Sequence, residues 1–348
     1  MKVLHILNTG SYSGAENVVI SIINHMSSSV ESVYVSLDGT IRDVLKKNGI
    51  KFHSVTKLSI KEIRMVIHEE KPDLIHAHDF TAGIISSVST GTIPVISHLH
   101  NNPPWIKKIN LKTICYALSC MRYQRIFTVS DAVVNEFWCG RLFKKKAYVI
   151  GNPICVSDIK EKVKVAKRKD SFDILFLGRL TEQKAPEFFL QIVSEVKKRI
   201  PTVSVGIVGD GELKERVIER ISSLELEENV HCLGFIDNPY GIIEQSKILC
   251  IPSRWEGFGL VAIEALSLGR PIVAANVGGL PGIVTEESGK ICTYEKEYID
   301  EIYELLVNSK YYGQKSCSAS NRAEALDNSS KYFFNIEKEY KKLQERKK

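Results

Sequence analysis

Two glutamates bracket a glycine-rich turn in the segment Pro252-Ser253-Arg254-Trp255-Glu256-Gly257-Phe258-Gly259-Leu260-Val261-Ala262-Ile263-Glu264-Ala265. An apolar strand ends at Pro252, and a helix opens near Leu260. The first N–H groups of a helix are unpaired and carry the positive end of its dipole, which suits an anion. Gly257 and Gly259 allow close approach of a ligand to the backbone. Glu256 lies in the turn. Glu264 lies in the helix, and helical side chains lean toward the N-terminus, which aims it at the same place. Carboxylates accept hydrogen bonds from sugar hydroxyls, so the pattern fits a ligand with both a phosphate and hydroxyls. A capped helix with solvated acids is the alternative.

A second candidate is Leu177-Gly178-Arg179-Leu180-Thr181-Glu182-Gln183-Lys184-Ala185. Arg179 and Lys184 flank a strand-to-helix turn, where a guanidinium and an ammonium suit a diphosphate. A surface pair is the alternative. Gly209-Asp210-Gly211-Glu212 is a third strand-to-helix turn. Its two acids have metal-pair spacing, but a plain loop accounts for them better. Gly10–Glu16 is a fourth, with Gly14 at a helix start. His76 and His78 form one alternating pair and His98 and His100 another. Positions i and i+2 share a strand face, but no third ligand has metal-site spacing. His100 precedes Asn101-Asn102-Pro103-Pro104 at the carboxyl end of a strand, where a ligand-facing residue is expected. A structural histidine is the alternative.

These turns belong to a regular alternation. Apolar strands at Lys2–Leu7, Glu31–Ser36, Asp73–His76, Ile93–His98, Arg125–Val129 and Ala147–Ile150 predict one parallel α/β domain. Strands at Phe172–Leu177, Val203–Val208, Val230–Leu233, Ile248–Pro252 and Pro271–Ala274 predict a second. The lysine-rich segment Cys155–Asp170 reads as a linker or exposed segment. The expected domains are 1–160 and 161–329, with a final helix at about 330–348 packing back on the first through Tyr332, Ile336, Tyr340 and Leu343. The expected fold class is α/β, as two doubly wound Rossmann-like domains facing a cleft.

The 348 residues are 44% hydrophobic and 25% charged, which excludes disorder and a membrane-spanning bundle as the main description. The first 150 residues carry 18 Lys and Arg against 11 Asp and Glu. That half suits an anionic partner. The eight cysteines form no Cys-x-x-Cys and read as free thiols. The first residues lack a signal-peptide core, so a cytoplasmic protein is expected.

The chain resembles a family 4 glycosyltransferase of the retaining GT-B type. Glu256 and Glu264 match that family's Glu-x7-Glu element. Gly178-Arg179-Leu180 with Lys184, Gly209-Asp210-Gly211, Gly269-x-Pro271-Ile272-Val273-Ala274 and Gly278-Gly279 match in order and spacing. Gly14-Ala15-Glu16, Asp73–His78 and Pro94–His100 are similar too. Two positions depart: Ala185 and Gly282 stand where the family often has Gly and Glu. The resemblance implies transfer of a sugar from a nucleoside-diphosphate sugar, a UDP-sugar foremost, to a glycan or lipid-linked acceptor of polysaccharide synthesis. It implies no metal and no other cofactor. Arg179 and Lys184 would hold the diphosphate, with Gly209 and the backbone of Gly257, Phe258, Gly259 and Leu260. Glu264 would take the ribose hydroxyls, Glu256 the sugar hydroxyls, His100 the sugar's C6 side, and Gly14 the acceptor side.

Two other readings compete. One is a sugar-nucleotide epimerase on the same fold. The other is a nicotinamide oxidoreductase, since Gly257-x-Gly259-x-x-Ala262 fits a dinucleotide fingerprint but lacks the ribose-binding acid about 20 residues on. Trp105–Arg125 has five basic residues and no acid. It reads as a basic amphipathic helix for peripheral contact at the inner membrane face, with an ordinary core helix bearing a solvated basic face as the alternative. No nucleic-acid partner is expected.

Overall fold

The computed structural model describes residues 1–345. The chain divides into two compact units, one of Met1–Pro153 with the chain from Asn328 onward, the other of Ile154–Asp327.

The first unit holds strands β1 Lys2–Ile6, β2 Glu31–Leu37, β3 Lys51–Val55, β4 Leu74–Ala77, β5 Val95–Leu99, β6 Tyr123–Thr128 and β7 Ala147–Val149. They form one parallel sheet in the order β3-β2-β1-β4-β5-β6-β7. The second unit holds β8 Ile174–Leu177, β9 Val205–Val208, β10 Val230–Gly234, β11 Ile248–Ile251, β12 Ile272–Ala275 and β13 Gly289–Cys292. Their order is β10-β9-β8-β11-β12-β13, again parallel. Central strands such as β4, β9, β11 and β12 are buried along their whole length. This explains their unbroken apolar runs: helices cover both faces of a parallel sheet. In each unit the strand order reverses once, between β1 and β4 and between β8 and β11. Loops at the carboxyl ends diverge there and leave room for a ligand.

The helix Ser329–Glu345 belongs to the first unit. Tyr332, Phe333, Ile336, Tyr340 and Leu343 are its buried stripe. Tyr340 Oη and His76 Nδ1 are 2.5 Å apart, and Arg125 Nε donates to Glu339 Oε2 at 2.7 Å. The end of the expected 330–348 helix, residues 346–348, lies outside the described residues.

Three expectations need correction. Cys155–Asp170 is not a linker: Val156–Lys164 is a helix of the second unit, burying Val156, Ile159 and Val163. The expected boundary near residue 160 therefore falls inside an element, and the units part at 153/154. Trp105–Arg125 is not one amphipathic helix. It comprises a short 3-10 turn at Pro104–Lys107, a helix at Leu111–Ser119 capped by Asn110, and the start of β6. Ile106 and Tyr116, two of its apolar residues, are fully buried. Finally, β3 and β13 were not expected as strands. All eight cysteines are free. Among the described residues no helix is long and apolar enough to cross a membrane.

Ala185 lies at φ 51° and ψ 52°, at the start of the helix Pro186–Arg199. This left-handed conformation costs a residue with a Cβ about 1–2 kcal/mol. Ala185→Gly is therefore expected to raise stability by up to about 1 kcal/mol, against the loss of similar size that this change causes within a helix. Urea unfolding of the two proteins checks this, and a lower midpoint for the glycine variant would contradict it.

Candidate functional site

In the second unit the neighbouring strands β8 and β11 deliver two loops to one place. Lys184 Nζ, on the β8 loop, donates to Glu256 Oε2, on the β11 loop, at 2.6 Å. Only 16% of the lysine side chain and 11% of the glutamate side chain are exposed. Water therefore screens this pair far less than it screens a surface pair. Ser253 Oγ donates to the same carboxylate oxygen at 3.2 Å. Around this pair, Arg254 N donates to Gln183 O at 2.8 Å, and Gln183 Nε2 donates to Trp255 O at 3.1 Å. Arg254 and Glu182 close the rim at 2.8 Å. The two loops thus act as one body.

Two donor groups beside this body are uncommitted. Arg179 is exposed, and its side chain makes no hydrogen bond or ion pair among the described residues. The N–H groups of Phe258, Gly259 and Leu260 have no acceptor among the described residues where the helix Leu260–Ser267 begins. Gly259 caps that helix at φ 103°, a conformation that favours glycine. Gly257, next to Glu256 in the chain, is buried. Gly278 passes so close to this turn that a Cβ there would collide with the Glu256 carbonyl. Gly209 ends β9, and its N–H donates to Gly234 O at 2.9 Å. Asp210 caps its own turn by accepting from Gly211 N at 2.8 Å.

Glu264 Oε1 accepts from Tyr240 Oη at 2.9 Å. Burial raises the pKa of this carboxyl, while the tyrosine hydroxyl, Lys162 and Lys184 oppose the rise. The sequence reading missed both Tyr240 and Lys162. Lys162 lies on the helix mistaken for a linker. The signal available was the apolar spacing of Val156, Ile159 and Val163, which is helical.

In the first unit, β1, β4 and β5 place five imidazoles side by side. His5 Nδ1 and His78 Nε2 are 3.0 Å apart, and His78 Nδ1 and His100 Nε2 are 3.2 Å apart. The ring centroids of His76 and His78, and of His98 and His100, are 4.0 Å apart. His5 supplies the third member that sequence spacing did not reveal. His5, His76 and His78, like His78, His98 and His100, bring nitrogens within 4.8 Å of one another. The His5–His78 and His78–His100 contacts engage nitrogens that a metal would need. Asp79, next in the chain, accepts from Asn8 N at 2.8 Å and Ala82 N at 2.7 Å. It thereby joins the end of β1 to the helix Phe80–Ser89. Gly14 is the exposed first residue of the helix Gly14–His25, beside the Ser13–Glu16 hydrogen bond of 2.5 Å.

Two family models cover the chain. "Glycosyltransferase Family 4" matches residues 12–158, and "Glycosyl transferases group 1" matches residues 157–348. The chain belongs to the group 1, family 4 glycosyltransferases. It is an enzyme that transfers a sugar from a nucleoside-diphosphate sugar to an acceptor, in a family that works without a metal cofactor. This removes the oxidoreductase and epimerase alternatives. An uncharacterized glycosyltransferase of Methanocaldococcus jannaschii is 28% identical over 236 residues, which is 62% of this chain and 58% of that protein. The O-antigen biosynthesis glycosyltransferase WclY of Escherichia coli is 24% identical over 296 residues, 80% of each chain. The Anabaena protein HepE, solved with UDP-glucose, has the same GT-B fold. Its TM-score is 0.83 at 20% identity, over 98% of this chain and 100% of that one.

The histidine cluster makes the first unit sensitive to acid. Burial pushes His5 and His100 down to about 3, and lowers His76, His78 and His98 as well. Unfolded histidine protonates near 6.5. Between these values the unfolded chain binds protons that the folded chain does not, so stability is lost as pH falls from about 6.5 toward 3. His5 and His100 alone contribute a slope of about 2.7 kcal/mol per pH unit. Urea unfolding at pH 7, 6 and 5 should show midpoints falling steeply, with uptake of at least two protons on unfolding at pH 5. A midpoint independent of pH would contradict this account.

Proposed function

We propose that the enzyme is a retaining transferase using a UDP-sugar, and that its acceptor is a lipid-linked glycan of polysaccharide synthesis. The supporting observation is the Lys184–Glu256 pair, set beside the uncommitted Arg179 and the open start of the helix Leu260–Ser267. An ammonium has three donors, so Lys184 keeps two for phosphate oxygens while holding Glu256. Arg179 and the N–H groups of Phe258–Leu260 complete the diphosphate site. Glu256 accepts from sugar hydroxyls and Glu264 from ribose hydroxyls. By the family resemblance, His100 serves the sugar's C6 side and Gly14 the acceptor. UDP as the nucleotide draws support from HepE, which was solved with UDP-glucose.

The bond from C1 of the sugar to the diphosphate breaks, and the acceptor oxygen bonds C1 on the same face. The acceptor's proton passes to a departing phosphate oxygen. Fixed cations and backbone dipoles stabilise the charge that builds on the diphosphate without reorganising during the step. Calorimetric titration with UDP tests the assignment. Arg179→Ala and Glu264→Ala should each weaken binding by about 1.5–3 kcal/mol, the worth of a charge-assisted hydrogen bond. Unchanged affinity in both folded variants would overturn it.

The acceptor class rests on the surface of residues 105–125 and on the O-antigen role of WclY. Ile109, Leu111, Ile114, Leu118 and Met121 are exposed, up to 79% for Leu111. Lys107, Lys108, Lys112 and Arg122, interspersed with them along the chain, are exposed as well. Exposed apolar residues interspersed with cations suit an anionic lipid surface, where each cation contributes about 1 kcal/mol. The protein should co-sediment with liposomes containing anionic lipid at low salt. The triple change of Lys107, Lys108 and Lys112 to Glu should abolish this. Failure of the unaltered protein to sediment would favour a soluble acceptor.

A further inference from the structure

The Glu264 carboxylate is built into a chain of contacts that starts far from it in sequence. Tyr240 is the first residue of the helix Tyr240–Gln245, and it is only 8% exposed. Its hydroxyl donates to Glu264 Oε1 at 2.9 Å. No hydrogen bond engages Glu264 Oε2 among the described residues. Tyr240 is itself fixed from two sides. Its N–H donates to Asn238 Oδ1 at 3.2 Å, and Asn238 Nδ2 donates to Lys162 O at 2.9 Å. The Lys162 ammonium stands 5.3 Å from the centre of the Tyr240 ring. That contact holds a cation near the carboxylate without a direct ion pair.

A glutamate whose one oxygen is engaged by the tyrosine presents its other, open oxygen most freely to a ligand. We infer that Tyr240 is a positioning residue for nucleotide recognition: it fixes the rotamer of Glu264 and turns Oε2 toward the ribose hydroxyls, with Lys162 supporting the tyrosine ring. The inference rests on the reading of Glu264 as the ribose acceptor. The tyrosine also favours the ionised carboxylate, since a donor to the charged form opposes the effect of burial. The charged or titratable groups acting on Glu264 are Tyr240, Lys162 on the helix Val156–Lys164, and Lys184 on the β8 loop. Without the hydroxyl, Glu264 loses both its alignment and part of its preference for the charged form.

The test compares UDP with 2′,3′-dideoxy-UDP by calorimetric titration. Tyr240→Phe keeps the ring and its packing. It should weaken UDP about tenfold and leave the dideoxy analogue within about twofold of the unaltered protein. Lys162→Met should act in the same ribose-selective way, at about two- to threefold. Glu264→Gln separates the two levels of the argument. If this variant still prefers UDP over the dideoxy analogue as strongly as the unaltered protein, the ribose reading itself falls. If Glu264→Gln loses the preference but Tyr240→Phe keeps it, the ribose reading stands and the role of Tyr240 is overturned. Equal weakening of both nucleotides by Tyr240→Phe would also overturn it, because general distortion does not discriminate between sugars.

Discussion

The Lys184–Glu256 ion pair is the contact on which the second unit's site depends. It is short and little exposed, and each partner comes from a different strand end. Removing one partner would leave a charge largely shielded from water without its counterpart, which is more costly than never having had the pair. The Arg254 N–Gln183 O bond and the bond from the Gln183 side chain to Trp255 O hold the two loops at that spacing, and the close pass of Gly278 backs the Glu256 turn. Parallel order explains why β8 and β11 can do this. They are neighbours in the sheet although about seventy residues apart in sequence, and they flank the point where strand order reverses.

The first unit meets the same topological demand with different chemistry. Its reversal point, between β1 and β4, is filled by neutral imidazoles and by the Asp79 clasp. Imidazole can donate at one nitrogen and accept at the other, so a row of them can satisfy itself in a dry interior only while uncharged. The cost is a set of nitrogens left alone: among the described residues, His5 Nε2, His76 Nε2 and both nitrogens of His98 have no hydrogen-bond partner. His100 lies at the outer end of this row, so its imidazole is held by His78 before any ligand arrives.

Much of the fold was legible in the sequence, because buried parallel strands leave uninterrupted apolar runs. The failures have identifiable physics. In β3 only Val55 is buried, and β13 opens on a glycine, so edge position removed the apolar signature. The helix Val156–Lys164 was hidden by its charged outer face, although Val156, Ile159 and Val163 recur at helical spacing. Trp105–Arg125 was read as one helix because its basic and apolar residues alternate. Asn110 caps the helix at one end, and the chain turns near Cys120 at the other. The glutamate pair, Arg179 and Lys184 stood out through residue type and position at strand ends. Tyr240 did not, because a hydrogen bond spanning 24 residues leaves no local trace.

The helix Ser329–Glu345 has a bearing on how the protein is made. It is the last described element, yet Tyr340 contacts His76 and Glu339 contacts Arg125, both within the first unit. A chain emerging from the ribosome delivers β1 to β7 early, but the surface that takes Tyr332, Ile336 and Tyr340 stays uncovered until synthesis reaches these residues. The second unit, contiguous from Ile154 to Asp327, has all its strands and helices before then. The order of completion is therefore the reverse of the order of translation, and the first unit must wait with an apolar face open. Nascent chains stalled before residue 329 are the species that a folding helper would have to shield.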